Sequence, residues 1–294
     1  METKLATYRP LLDGDDRDGQ SVEGGVTVPD PERGGGALAL AGDQAKRVEP
    51  QAGEVISTGI VRGLLPSFAE VAEGAIDAIE GVISPEEKAR IATAVSNRRK
   101  EFAAGRTLAH RLLQAMGAAS APLLAGEDRV PRWPAGFTGS ISHSARDVAV
   151  AVARSSHVAA LGIDLEDVER FRFELEPYIL SPDEIARHLA RLDPGARQAS
   201  TAAMFCAKEA YYKAQYPLAG RRLGFHDVGV ELDEAKGAFE VWRITEPGRR
   251  VVGRFSVVGG LAAAAVWFPP EVRSAPDLRQ TSRSRLMSAS SSAW

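Results

Sequence analysis

The sequence predicts an α+β protein built from two similar halves. Three observations carry this. A strong helical stretch, SPEEKARIATAVSNRRKEFAAGRTLAHRLLQAMG, precedes short apolar alternations in the first half. A second helical set, opened by SPDEIARHLARL and continued by the stretch bearing FCAKEAYYKAQ, precedes four more alternations in the second. Both sets open on the same Ser-Pro-x-Glu chemistry. Helices followed by a meander, twice over, imply one duplicated body.

Each element has a local reason. Ser84 suits an N-cap, Pro85 the first helical position, and Glu87 closes a capping box, while Gly117 is a natural stop. The Pro- and Gly-rich loop APLLAGEDRVPRWPAG follows. FTGSISHS, DVAVAVAR and HVAALGIDLE then alternate as strands do. Ser181, Pro182 and Glu184 repeat the capping chemistry. HDVGVELD, AFEVWRIT, RVVGRFSVVG and GLAAAAVWF read as the closing strands. Lys100-Glu101 and Lys208-Glu209 place a Lys-Glu pair in a helix of each half. The expected division is 1–50 as a disordered extension, 51–160 and 161–270 as the two halves, and 271–294 as a disordered tail. The extension centres on PDPERGGG, and the tail ends in RQTSRSRLMSASSSAW.

Composition excludes several classes. A net charge of −3 gives no basic field for nucleic acid or an anionic membrane. The single cysteine, Cys206, rules out an internal disulfide and suits a reducing compartment. The first residues lack the build of a signal peptide, and no apolar run is long enough to span a bilayer. The expectation is a cytoplasmic protein.

The chemistry concentrates in four stretches. In LGIDLED, Asp164 and Glu166 are two apart, so on a strand they face the same way. Such a pair repels itself unless a cation intervenes, and a hard divalent ion is one answer. The alternative is a strand that ends there with its acids in water. In FCAKEAYYK, Glu209 and Lys213 share a helix face, among neighbours apolar enough to bury the helix. Buried charges need partners, and a magnesium ion for Glu209 with a phosphate for Lys208 and Lys213 would serve. A surface ion pair is the plainer reading. GSISHS offers Ser142 and His143 as hydrogen-bond donors to a phosphate and lacks the G-x-S-x-G of a hydrolase elbow. In NRRKEFAAGR, Arg98 and Arg106 lie eight apart, about two helical turns, and suit either bidentate phosphate binding or a solvated face. Cys206 reads as a core thiol rather than a nucleophile.

GIDLE followed about forty residues later by FCAKEAYYK resembles the signature of the 4′-phosphopantetheinyl transferase superfamily. RRKEFAAGR, GEDRVPRWPAGFTGSISH and KAQYP…LGFHDV are similar to the enterobactin-synthase component D type within the surfactin-type class. The likeness spans roughly residues 55 to 268. It implies a pseudo-dimeric monomer of two α+β halves. It also implies transfer of the phosphopantetheine arm of coenzyme A to a serine of an apo carrier protein, with release of adenosine 3′,5′-bisphosphate. Carried over by position, Asp164, Glu166 and Glu209 would hold Mg²⁺, and Lys208 and Lys213 would meet the phosphates. Glu209 and Lys213 would be catalytic. Arg98, Arg106, Arg129, Ser142 and His143 would bind the adenosine end. The carrier would belong to a peptide, polyketide or fatty-acid synthase, siderophore synthesis included. Two other classes use the same residues: a Mg²⁺-dependent nucleotide pyrophosphate hydrolase, and a non-catalytic coenzyme A-binding protein.

Overall fold

The computed structural model describes residues 59–126 and 128–270. Both tail segments of the expected division lie outside them. The observed architecture mixes helix and sheet, as the sequence predicts. Strands β1 (Ala69–Ala75), β2 (Phe137–His143) and β3 (Asp147–Arg154) form an antiparallel sheet in the order β1-β3-β2. Strands β4 (Ala160–Asp167), β5 (Val228–Asp233), β6 (Ala238–Arg243), β7 (Val251–Val258) and β8 (Leu261–Phe268) form a second, in the order β4-β8-β7-β6-β5. β4 therefore returns beside the last strand, and β2 and β4 are both edges.

The first helical stretch is two helices, not one. α1 (Pro85–Arg90) carries the full Ser84–Glu87 capping box. The chain then turns through Ile91–Val95, and α2 runs Ser96–Ala115. Ile91, Thr93 and Val95 are β-branched and weaken a helix at this point. α2 stops as its sequence predicts: Gly117 takes φ 79°, and the Ala118 amide closes on the Leu113 carbonyl at 2.8 Å. The capping box at Ser181–Glu184 is also present, but it starts only a single turn, Pro182–Glu184, followed by a wide turn, Ile185–Leu189. The long helix α3 (Pro194–Ala219) starts on an Asp193 cap and ends at Gly220 in the left-handed region.

β4 is buried on both faces. Leu161, Ile163 and Leu165 pack with Ala149, Ala151, Ala263 and Ala265 between the halves. The alternate residues Gly162, Asp164 and Glu166 look toward α3. A methyl group at Gly162 would overlap the Ala210 carbonyl oxygen, so glycine lets the α3 backbone lie directly on the strand. In the first half, a methyl at Gly105 of α2 would stand 2.9 Å from Ile141 of β2. Each half thus docks its long helix through a glycine.

Candidate active site

The candidate site lies on the seam between the edge strands β2 and β4. No backbone ladder joins β2 to β4; side chains do the pairing. Ser140 Oγ accepts from the Ile163 amide at 3.1 Å and Ser142 Oγ from the Leu165 amide at 3.2 Å. Farther along, the Ala145 amide donates to Asp167 Oδ2 at 2.8 Å. Edge amides that would otherwise be buried and unsatisfied are met in this way.

Lys213 closes the seam from α3. Its ammonium donates to Asp164 Oδ1 at 2.7 Å, Ser142 Oγ at 3.0 Å and the Ile163 carbonyl at 3.1 Å. Burial alone would lower this lysine, but Asp164 and Glu209 outweigh it and hold the ammonium above its ordinary value. Ser142 is saturated by the same contacts, since its one proton goes to Asp164 Oδ1 at 2.8 Å. At 4% exposure its hydroxyl ties the two halves together. As placed here it is not a donor turned toward a ligand, which departs from the role expected of it.

Asp164 is not at a strand end in water. It sits within β4 at 3% exposure, and Glu209 on α3 at 5%. Glu166 is partly buried, with Arg170 Nη1 3.4 Å from Oε2. Burial first, then the charge of Asp164, push the Glu166 carboxyl up to about 8; Arg170 and Lys213 pull the other way and Glu209 adds to the rise. The three acids share one electrostatic field. Among the described residues, however, no three acidic, imidazole or thiol groups close into a metal-ligand cluster. Asp164 faces Lys213 instead. Two features still fit a divalent cation. Asp164 Oδ2 is buried with no hydrogen-bond partner among the described residues, and a cation would offset both the burial and the carboxylate repulsion that raise Glu166.

The first half supplies a basic cluster. Arg98 Nη1 lies 2.8 Å from His143 Nε2 and 3.2 Å from Glu101 Oε2. His143 follows Ser142 at the end of β2, so the strand joins this cluster to the acidic wall. Arg106 is buried beneath, its guanidinium 4.6 Å over the Phe102 ring. Burial pulls it down to about 10, with Glu87 opposing and Arg98 adding. Its Nε lacks a hydrogen-bond partner among the described residues. Arg129 is exposed, in the left-handed region at φ 63°, in the tight turn before Val130.

Lys208 does not belong to this wall. At 1% exposure, it donates to Glu184 Oε2 at 2.8 Å, the Ile179 carbonyl at 3.0 Å and the Phe225 carbonyl at 3.1 Å. All three protons are spent, so the expected phosphate contact is corrected to a structural one. The reason is angular: Lys208 and Lys213 are five apart, about 140° around a helix. Glu184 is the capping-box acid, and its Oε1 also accepts from the Val230 amide at 2.8 Å. Glu87 repeats the arrangement, accepting from Ser84, His110 and the Leu123 amide. His110 is therefore the counterpart of Lys208. The Lys100–Glu101 likeness is not structural, because Lys100 sits on Asp77 at the surface.

Cys206 is fully buried and its thiol donates to the Ala262 carbonyl. Burial first, then Asp164 and Glu166, push it well above its usual value, so it is no nucleophile. Glu101, Arg170 and Gly162 were not singled out for the site from the sequence. Glu101 had a signal, three residues after Arg98. Arg170 had none, because the chain leaves the strand after Asp167.

Residues 86–153 match the 4′-phosphopantetheinyl transferase N-terminal domain, and residues 160–265 match the 4′-phosphopantetheinyl transferase superfamily. The chain is 36% identical over 201 residues to the 4′-phosphopantetheinyl transferase Svp of Streptomyces mobaraensis, covering 66% of this chain and 80% of that protein. It is 36% identical to the 4′-phosphopantetheinyl transferase PptT of Mycobacterium tuberculosis, covering 62% of this chain and 84% of that one. Enterobactin synthase component D of Salmonella typhimurium is 35% identical over 42% of this chain and 51% of its own length. The chain belongs to the 4′-phosphopantetheinyl transferase superfamily.

Proposed function

We propose that this enzyme moves the phosphopantetheine arm of coenzyme A to a serine of an apo carrier protein, and that the seam is where it does so. One observation carries the reading. The β2–β4 seam sets Asp164, Glu166, Glu209 and Lys213 beside a basic cluster of Arg98 and His143, with Arg106 buried below. A substrate with a pyrophosphate in its middle and a phosphate on its ribose needs one wall of each kind. Both walls come from one chain, so a monomer suffices.

In the reaction the serine oxygen bonds to the phosphorus of the arm. The pyrophosphate P–O bond breaks, and adenosine 3′,5′-bisphosphate leaves with the electron pair. The serine proton must go to a base, and Glu209 is the carboxylate on α3 for that task. Lys213 holds its proton firmly and supplies fixed positive charge toward the phosphate oxygens, its three N–H groups being engaged by Asp164, Ser142 and the Ile163 carbonyl. Asp164, Glu166 and Glu209 would hold Mg²⁺, which when bound screens the charge of the pyrophosphate. Arg98, Arg106 and His143 hold the adenosine end, the guanidinium and imidazole meeting the 3′-phosphate. Arg129, exposed in the turn before Val130, is the further arginine we assign to that end. The carrier is a free protein or a domain of a peptide, polyketide or fatty-acid synthase.

Intact-mass analysis of an apo carrier incubated with coenzyme A, Mg²⁺ and the enzyme tests this. The carrier should gain one phosphopantetheine arm. Release of soluble cleavage products with an unmodified carrier would make the chain a pyrophosphate hydrolase, and no turnover would make it a binding protein.

A further inference from the structure

Glu101 stands where an acid is least expected, inside the basic cluster. Its Oε2 lies 3.2 Å from Arg98 Nη1 and 3.4 Å from His143 Nε2. A guanidinium only donates, so at 2.8 Å the Arg98 Nη1 proton points at a bare His143 Nε2. The ring proton is then on Nδ1, facing the Ser144 carbonyl at 3.3 Å. Arg98 thus serves a carboxylate and an imidazole from one nitrogen, whose two N–H groups suffice for both. Its side chain remains 39% exposed, whereas Glu101 is 17% exposed and His143 18%. The most exposed member of the trio is the arginine, and the two better-buried members hold it.

We infer that Glu101 is a positioning residue: it pins Arg98 against His143 and so preforms the seat for the 3′-phosphate of coenzyme A. The inference rests on the reading that Arg98 and His143 meet that phosphate. The carboxylate does two things. It fixes one end of a long side chain that would otherwise extend into solvent and have to be ordered at each binding event. It also offsets the arginine charge while no ligand is bound. Arg98 and Glu101 are i, i+3 on α2, so the pairing needs no outside element to form.

The test compares coenzyme A with dephospho-coenzyme A, which lacks the 3′-phosphate, as substrates for carrier modification. Glu101→Ala should raise KM for coenzyme A roughly tenfold, with the loss mainly in KM, and change KM for dephospho-coenzyme A by less than about twofold. Glu101→Gln keeps an acceptor for Arg98 and should recover most of the loss. A purely structural glutamate would give equal losses with both substrates and no rescue beyond that of melting temperature; that overturns the inference. So would tighter coenzyme A binding in Glu101→Ala, which would show the carboxylate only repelling the phosphate. Arg98→Ala is the control. If it discriminates between the two substrates and Glu101→Ala does not, the inference alone fails. If Arg98→Ala does not discriminate either, the placement of the 3′-phosphate fails and takes the inference with it.

Discussion

Gly162 lies directly beneath Ala210, close enough that a methyl group on the glycine would overlap the Ala210 carbonyl oxygen. This contact sets the depth at which α3 rides on β4. One residue pair farther along the same face, Lys213 reaches Asp164 at 2.7 Å. The glycine of the GID stretch is therefore a spacer for the acidic wall.

Gly162→Ala should push α3 off the strand. The obstacle is backbone rather than a flexible side chain, so the expected cost is about 1–3 kcal/mol or more, with carrier modification falling further than stability. Urea denaturation and turnover measured on one preparation check this. Parent-like values for both would show that the close approach is not needed.

Lys208→Met should damage the fold and spare the ligand. Removing the ammonium strands Glu184 as a buried charge, a loss of about 3–5 kcal/mol. The fraction that remains folded should bind coenzyme A much as the parent does. A stable variant that has lost coenzyme A would return Lys208 to the phosphate site.

How much of this was legible in the sequence depends on how local the signal is. The two capping boxes, the stop at Gly117 and seven of the eight strands among the described residues follow from short-range patterns, and the structure has them. β1 was not read because AEVAEGA carries Glu70 and Glu73 and lacks a clean alternation. Its pairing with β3 is a long-range fact. The break at Ile91–Val95 was missed because the helical pattern continues through it. Strand and helix periods put Asp164 with Glu166, and Glu209 with Lys213, on shared faces, and the structure brings Lys213 to Asp164 at 2.7 Å. Lys208 was misplaced because adjacency in sequence is not adjacency around a helix. The partners of Ser142 are not legible in the GSISHS stretch, because Asp164, Leu165 and Lys213, which engage its hydroxyl, come from the second half.

Asp164→Asn keeps the shape and removes one charge. Lys213 then loses the partner that offsets its burial, and the acidic wall loses a ligand. Turnover should fall by roughly 100-fold or more, with folding retained in circular dichroism. Near-parent turnover, unchanged by excess chelator, would remove Asp164 from both the charge network and any metal site.

His188 lies on the open groove of about 790 Å³ beside β5 and β6, away from the seam. Burial holds its imidazole below the ordinary 6.5, with Arg187 adding to the fall and Glu231, Glu184 and Glu234 opposing it. The folded chain therefore takes up this proton less readily than the unfolded one. The stability difference is fully present above pH 6.5 and is lost as pH falls from there through the folded-state value. Comparing the parent with His188→Gln at pH 7.5 and at pH 5.5, the variant should gain on the parent at the lower pH. An unchanged difference between the two proteins would mean that His188 titrates alike folded and unfolded.

Glu209→Gln tests the central claim most directly, because it separates chemistry from binding at one atom pair on the seam. The amide keeps the shape of the carboxylate, cannot accept the serine proton and carries no charge for a cation. Carrier modification should drop by about 10²–10⁴-fold. Coenzyme A affinity should fall by less than about tenfold, because Lys213 and the Arg98–His143 cluster remain. Raising Mg²⁺ should not restore turnover. Full recovery of turnover at high Mg²⁺, with the parent's pH–rate profile, would contradict the account and leave Glu209 a ligand alone.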